Sequence, residues 1–255
     1  MTRKLFLTAA LALIALVSRA QTNIQLFYDF GTDRQLITTT LEGFYSDPWG
    51  STFFFIDYDF RLKEGAPDGT YMEIARCLNF WQNSPLGGLS LHVEYNGGRY
   101  SKYGINHAAL AGLDYFFHSS DFRNTLNIQV QYKWISYAGQ GFDPQPDYVF
   151  RSKVPLQFTA VWGMQDLFGI KGLRFNGFAD FWWQDHVLFT DHKGDLDTPQ
   201  LSHIVFISEP QLWYNVGQWF GVKHLNIGGE VELSYDFGSA KGFWARPCLG
   251  LKWVF

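Results

Sequence analysis

The feature that most constrains this chain is its last stretch, FWARPCLGLKWVF, at residues Phe243–Phe255. Successive side chains of a β-strand point to opposite faces, so this stretch has one continuously apolar face and one mixed face that carries Arg246 and Lys252. A terminal strand with an aromatic last residue is typical of outer-membrane β-barrels, in which the last strand pairs with the first and leaves no edge. On this stretch alone, an ordinary strand of a soluble β-sandwich remains the alternative.

The N-terminus predicts export. Residues 1–20 carry the basic Arg3 and Lys4, an apolar run at residues 5–17 and the small residues Ser18 and Ala20, a pattern typical of a secretory signal peptide. The apolar run is too short for a transmembrane helix and has no cysteine for lipid attachment. Removing this segment removes three basic residues and makes the formal charge of −4 more negative, which argues against nucleic-acid binding.

Composition favours a single barrel over residues 21–255. Aromatic residues make up 19% of the chain, yet the mean hydropathy is slightly negative. A barrel accounts for both, because alternate residues face lipid while their neighbours face an aqueous lumen. Two cysteines, Cys77 and Cys248, are too few for a disulfide framework, and we interpret them as unpaired wall residues.

About twelve alternating segments follow one another without a domain linker. They are residues 23–31, 35–45, 51–62, 70–81, 89–96, 105–117, 124–137, 148–162, 172–184, 201–214, 223–236 and 243–255. The sequence therefore predicts an all-β fold, a single 12-stranded antiparallel transmembrane barrel of the Gram-negative outer membrane. The even number places both termini on one side, which in such barrels is the periplasm.

Two regularities support this interpretation. Odd-numbered segments end with outward-facing aromatics that predict one girdle at the headgroup level: Tyr28, Phe30, Tyr58, Phe60, Tyr95, Tyr132, Trp134, Phe181, Trp183 and Tyr235. The connections after these segments are polar and predict external loops, the longest of them at residues 185–200. Three prolines oppose continuous strands, so we expect bulges or strand ends at Pro155, Pro210 and Pro247.

Parity then predicts which residues face the lumen. In the fifth segment, Leu89, Leu91, Val93 and Tyr95 face outward, and Ser90, His92 and Glu94 face inward. Charges of both signs face inward, and most of them are expected to pair within a narrow bore. Inward aromatics are less expected in a water-filled pore, and they suit a flat, polar, uncharged ligand, unless they only narrow the bore. The candidate ligand-binding residues of the lumen are Glu42, Phe27, Phe44, Phe53, Phe55, Asp57, Glu73, His92, Glu94, Arg151, Asp180 and Trp182.

Signals for catalysis are few. His118, Ser119 and Ser120 are similar to the His and Ser of outer-membrane phospholipases, but Asp121 and Phe122 follow where Asn and Gly are expected. They also fall in a predicted periplasmic turn, away from the outer leaflet. Asp191, Asp195 and Asp197, with His192, could bind calcium weakly, although a solvated loop explains them as well. We expect no enzyme activity, no cofactor and no bound metal.

Several segments together resemble the Tsx-like nucleoside-specific channels of Gram-negative outer membranes. Residues 40–44, TLEGF, are similar to that family's Leu-Glu-x-Glu-Ala-Phe strand, with one glutamate, Glu42, where the family has two. Further similar segments follow in the same order: residues 72–74, Tyr132 with Trp134 and Tyr137, residues 147–153, 178–182 and 202–204. The resemblance implies a twelve-stranded channel for diffusive uptake of nucleosides, with weak binding sites in its lumen.

The sequence thus predicts a channel for nucleosides or similar small polar aromatic solutes. Its expected partners are the solute, outer-membrane lipid and the barrel assembly machinery, which would recognise the strand ending at Phe255. The alternatives are a barrel enzyme acting on lipids and a plugged barrel with a structural or surface-binding role.

Overall fold

The computed structural model describes residues 21–31, 34–101, 104–137 and 148–255; the predicted signal peptide lies outside them. The chain forms thirteen strand segments: β1 (Gln21–Asp29), β2 (Leu36–Asp47), β3 (Gly50–Arg61), β4 (Ala66–Leu78), β5 (Leu89–Tyr100), β6 (Gly104–His118), β7 (Asn124–Ile135), β8 (Leu156–Gln165), β9 (Leu173–Asp191), β10 (Gly194–Ser208), β11 (Gln211–Tyr214), β12 (Leu225–Tyr235) and β13 (Phe243–Val254). The described residues also contain two 3₁₀ turns, at Leu167–Gly169 and Val216–Trp219. Among the described residues, none of the helical segments has the length and apolar character needed to cross a bilayer.

The strands close into a barrel. Each pairs antiparallel with its neighbours, and β13 pairs with β1 from Asn23 opposite Val254 to Asp29 opposite Cys248. Segments β10 and β11 share the partners β9 and β12 and form one barrel strand, interrupted at Glu209 and Pro210. The fold is therefore a closed twelve-stranded antiparallel barrel, which confirms the predicted fold class. We call the end that carries Gln21 and Val254 the terminal end, and the other the hairpin end.

The two faces of the wall differ as predicted. In β5, the outward Leu91, Val93 and Tyr95 are exposed on the barrel surface, whereas the inward Ser90 and His92 are buried. The outward aromatics near the hairpin end form edge-on or tilted pairs, such as Tyr28 with Phe30, Tyr132 with Trp134, and Phe181 with Trp183. The barrel thus has an apolar outer surface and a polar interior, as lipid outside and water inside require.

The connections at the terminal end are compact and carry large exposed side chains. They include Trp49, Leu86, Phe168, Trp219 and Phe220. Gly50 closes the turn between β2 and β3 at a φ of +144°, where a side chain would meet the Cys77 carbonyl. A side chain at this position would break the approach of β3 to β4, so glycine sets the turn.

Two expectations about strand limits are wrong, and the first of them also misplaced Arg151. Segment β8 begins at Leu156, after Pro155, and not at residue 148, because proline cannot donate to the ladder. Arg151 therefore lies outside the strands with an exposed side chain. The expected loop at residues 185–200 is mostly paired strand, since β9 continues to Asp191 and β10 begins at Gly194.

The other two prolines differ from each other. Pro210 ends a segment, as expected. Pro247 lies within β13, opposite Val231, and no register shift occurs there. Its carbonyl accepts from Phe30 N at 2.9 Å, and Phe30 is the first residue after the end of β1. The nitrogen of Pro247, which carries no hydrogen, therefore faces a position that is outside β1. The strand tolerates it because no ladder bond of β1 is lost.

Candidate functional site

The lumen carries a row of ring and carboxylate side chains on β2, β3 and β4. Phe55 lies opposite Glu42 on one neighbouring strand and opposite Glu73 on the other. Directly opposed residues have Cβ atoms about 4.5 to 5.5 Å apart, so the ring of Phe55 has a carboxylate on each side. Glu42 accepts a hydrogen bond from Asn23 Nδ2 at 2.7 Å, which positions it on the wall.

Phe53, Phe55 and Tyr71 form a continuous series of rings in this region, which we call the aromatic track. The centroids of Phe53 and Phe55 are 5.9 Å apart, and those of Phe55 and Tyr71 are 5.7 Å apart, both pairs tilted at 50°. All three rings are half-buried, so part of each faces the lumen. Asp57 lies opposite Tyr71 and accepts from Thr40 Oγ1 at 2.5 Å.

Two other predicted inward rings differ: Phe27 is packed inside the wall, whereas Phe44 is exposed. Phe27 is buried against Trp213, with ring centroids 5.5 Å apart, although two strands, β13 and β12, lie between β1 and β11 along the wall. Lys252 Nζ lies 4.4 Å from the centre of the Trp213 ring. Phe44 has inward parity but lies near the terminal end of β2 and is 45% exposed. The expectation that Phe27 stacks on a ligand is therefore wrong.

A second group occupies the wall from β7 to β10. Lys133 Nζ lies 3.8 Å from the centre of the Trp182 ring and donates to Gln157 Oε1 at 2.7 Å. Gln157 Nε2 donates to Thr159 Oγ1, which donates to Asp180 at 2.5 Å. Trp182 also packs against buried Val205 and Ile207. Asp180 and Trp182 thus belong to a satisfied packing network, as most inward charges were expected to.

A third group consists of ion-paired side chains near the hairpin end, centred on Glu232. Glu232 accepts from Arg34 at 2.6 Å and from Arg246 at 2.6 Å, and Ser234 donates to it at 2.9 Å. Arg246 lies 4.7 Å from the centre of the Trp244 ring. These contacts fix inward side chains of β12 and β13 against each other.

The hairpin of β9 and β10 lies against this third group. The His192 ring, at the hairpin tip, stacks on Trp244 at 4.0 Å, and its Nε2 contacts the Phe243 carbonyl at 2.9 Å. Val187 and Leu188 are buried although they point to opposite faces of β9. Two register shifts in β10 bend the hairpin. It therefore packs against the connection between β12 and β13, where Phe189 N and Thr190 N donate to the Ser239 carbonyl.

A fourth group, which sequence spacing did not indicate, lies on the wall towards the terminal end. Strand register places Cys77 of β4 directly opposite His92 of β5, and it places Asp114 of β6 opposite Ser90, two residues before His92 on the same face. The contacts are 3.4 Å from Cys77 Sγ to His92 Nδ1, 3.8 Å from Cys77 Sγ to Asp114 Oδ2, and 3.9 Å from His92 Nδ1 to Asp114 Oδ2. Glu94 contacts His92 Nε2 at 3.1 Å. Within the described residues, this group has side chains that could hold a metal ion.

The residues considered for catalysis or calcium binding form local turns. Ser119 donates to Asp121 at 2.6 Å, and His118 Nδ1 contacts the Ser119 carbonyl at 2.8 Å. Two hydrogen bonds, from Ser119 and from the Arg123 backbone, hold the pKa of Asp121 below its ordinary value. Asp191 accepts from the Lys193 backbone at 2.7 Å at the hairpin tip. Both cysteines are free, as expected.

Comparison with known proteins gives a family and a fold. A comparison with curated proteins finds no match to this chain. Among solved structures, the chain is similar to the NanC porin, with 8% identity, a TM-score of 0.50, and coverage of 92% of this chain and 98% of that one. It also matches the KdgM porin, at 10% identity, a TM-score of 0.46 and coverage of 92% and 99%. The outer membrane phospholipase of Salmonella typhi matches at 11% identity, a TM-score of 0.49 and coverage of 92% and 90%.

The likeness to the NanC porin concerns the fold, a closed antiparallel barrel with an apolar outer surface. Residues 20–255 match the family described as "Domain of unknown function (DUF5020)". Because this match spans nearly all of the chain, the protein belongs to the DUF5020 family.

Proposed function

We propose that the protein is an outer-membrane channel for small polar solutes that carry a flat ring, with nucleosides as the representative class. This proposal rests on Glu42, Phe55 and Glu73, which lie side by side on the adjacent strands β2, β3 and β4 and face the lumen. Phe55 offers a stacking face, and the carboxylates accept hydrogen bonds from hydroxyl groups. A nucleoside has both halves, a flat base and ribose hydroxyls.

The polar interior supports passage of water-soluble molecules. The side-chain carbonyl oxygens of Gln25, Gln131 and Asn226 are buried and accept no hydrogen bond from other described residues. Buried amides are rarely left unsatisfied, so we infer that lumen water supplies their partners. Binding at the aromatic track must be weak, because a tightly held solute would not leave the other side.

We place the terminal end in the periplasm and the hairpin end outside the cell. The compact terminal-end turns with exposed Trp49 and Trp219 suit a short periplasmic rim, and the polar hairpin tip suits the exterior. A solute would then enter beside His192 and Trp244 and reach the aromatic track further in.

Swelling of liposomes that contain the refolded protein tests the proposal. Adenosine and a disaccharide of similar size are compared in the wild type, Phe55→Leu and Glu42→Gln. The matched control is Phe54→Leu, at the preceding residue of β3, whose ring lies on the outer face and stacks on Tyr45 at 6.0 Å.

We expect Phe55→Leu to lower the preference for adenosine about fivefold, which corresponds to about 1 kcal/mol, the low end for a stacked base. The disaccharide rate should change little, and Phe54→Leu should leave both rates unaltered. Equal changes for the two solutes in Phe55→Leu would contradict a binding site and would mean that Phe55 only narrows the bore.

A specific observation favours a second candidate, a barrel closed at one end. The β9–β10 hairpin stacks His192 on Trp244 and buries Val187 and Leu188. If this contact seals the opening, the protein has a structural or surface-binding role. The same liposomes would then show no uptake of either solute.

A further inference from the structure

Cys77, His92 and Asp114 have the chemistry of a zinc site. Zinc in proteins is bound by thiolate sulfur at about 2.3 Å, imidazole nitrogen at about 2.0 to 2.1 Å and carboxylate oxygen at about 2.0 to 2.2 Å. Around a tetrahedral ion, such atoms lie roughly 3.3 to 3.6 Å from one another. The separations here are 3.4, 3.8 and 3.9 Å, so shifts of a few tenths of an ångström bring all three atoms into ligand positions.

The surroundings hold these side chains in place. His92 and Asp114 are buried, at 3% and 2% exposure, and come from adjacent strands of one ladder. Glu94 Oε2 contacts His92 Nε2 at 3.1 Å, which leaves Nδ1 directed at Cys77 and Asp114. A carboxylate behind a histidine ligand is the usual second partner of such sites, because it fixes the ring and raises its basicity.

The carboxylate of Asp114 is positioned as well. Its Oδ1 accepts from Asn127 Nδ2 at 2.6 Å, and its Oδ2 accepts from Gln129 Nε2 at 2.7 Å. The thiol of Cys77 donates to Asp114 Oδ2, and the Glu94 carboxylate lies on the other side of the His92 ring, so the group has more acceptor than donor atoms. A divalent cation would take the place of the thiol proton and compensate the charge of the buried carboxylates.

We infer that Cys77, His92 and Asp114 form a three-ligand site for a divalent transition metal of the zinc type. Mixed sulfur, nitrogen and oxygen donors favour zinc over magnesium or calcium, which prefer oxygen alone. Cys77 is only half-buried, so the fourth position opens to the lumen and is available to water or a passing ligand. Bound metal would join β4, β5 and β6 near the terminal end.

Cobalt(II) binding to the folded full-length barrel tests the site, because Co²⁺ occupies zinc sites and gives a near-ultraviolet charge-transfer band only when bound to thiolate. We expect one Co²⁺ per chain with this band in the wild type, and its displacement by Zn²⁺. The chain has two cysteines, so Cys248→Ser is the matched control: it removes the other inward thiol and should keep the band. Cys77→Ser should lose it.

Two further measurements make the result independent of one variant. Zn²⁺ should slow alkylation of Cys77 at least tenfold in the Cys248→Ser protein. Glu94→Gln, a positioning variant, should bind Co²⁺ about 10- to 100-fold more weakly with the thiolate band still present at saturation.

Three results would contradict the proposed metal site. They are a folded wild-type barrel that shows no thiolate band at saturating Co²⁺, a band that persists in Cys77→Ser, or binding that never saturates. Heat-modifiable migration on gels confirms that each variant is folded. The wild-type measurement needs no variant at all, so a folding defect cannot leave the question open.

Discussion

Replacing Ile128 by lysine tests which face of the wall meets lipid. Ile128 is 42% exposed on the outer surface of β7. A strand tilted by about 40° advances roughly 2.6 Å per residue along the barrel axis. Asn124, at the start of β7, and Tyr132, in the aromatic girdle, are each four residues away, so Ile128 lies about 10 Å from either rim of an apolar band about 25 Å tall. It therefore lies near the middle of the bilayer.

A lysine at the membrane midplane costs about 2 to 4 kcal/mol, so Ile128→Lys should lower the folding equilibrium about 30- to 1,000-fold. Urea unfolding in phospholipid vesicles, followed by tryptophan fluorescence, measures this. The matched control is Gln129→Lys, one residue further on the inner face. Gln129 Nε2 donates to Asp114 Oδ2 at 2.7 Å, and a lysine ammonium can take over that bond. If Gln129→Lys destabilises the barrel as much as Ile128→Lys, the assignment of faces is wrong.

Three other predictions concern closure, gating and orientation. Leu251→Lys with Trp253→Lys should prevent insertion, because both residues lie on the outer face of the strand that closes on β1; normal heat-modifiable protein in the membrane fraction would contradict this. His192→Ala removes the stack on Trp244 and should speed uptake of adenosine and the disaccharide by the same factor, whereas unchanged rates would show that the hairpin does not restrict entry. A tag inserted after Gly194, at the hairpin turn, should be labelled on intact cells, and labelling only after permeabilisation would reverse the proposed orientation.

The faces of the wall could be predicted from sequence because successive side chains of a strand point to opposite sides. The apolar residues of a strand therefore mark its lipid-facing side, and their neighbours face the lumen. Parity alone assigns Leu91 to the outer face and His92 and Glu94 to the inner face, as the structure has them. It could not set strand limits, since the long β9–β10 hairpin has the same polar composition as a loop. The tight turn at His192 and Lys193, and the backbone bonds from Phe189 N and Thr190 N to the Ser239 carbonyl, come from tertiary contacts.

Parity also could not distinguish a ring that lines the lumen from one that fills it. Phe27 and Phe55 have the same parity, yet Phe27 is covered by Trp213, a residue 186 positions away in sequence. The cluster of Cys77, His92 and Asp114 was missed for a related reason. Its ligands are 15 and 22 residues apart, with no metal-binding spacing, and only the register of β4, β5 and β6 brings them together.

The central claim is that the lumen conducts and that a flat polar solute binds in it beside Phe55. Single-channel recording in a planar bilayer tests it most directly. We predict discrete current steps from the folded protein, and a reversible decrease of the current by adenosine that an equal concentration of the disaccharide does not produce. The decrease should be lost in Phe55→Leu and kept in Phe54→Leu. Absence of current steps, or equal effects of the two solutes, would contradict the account.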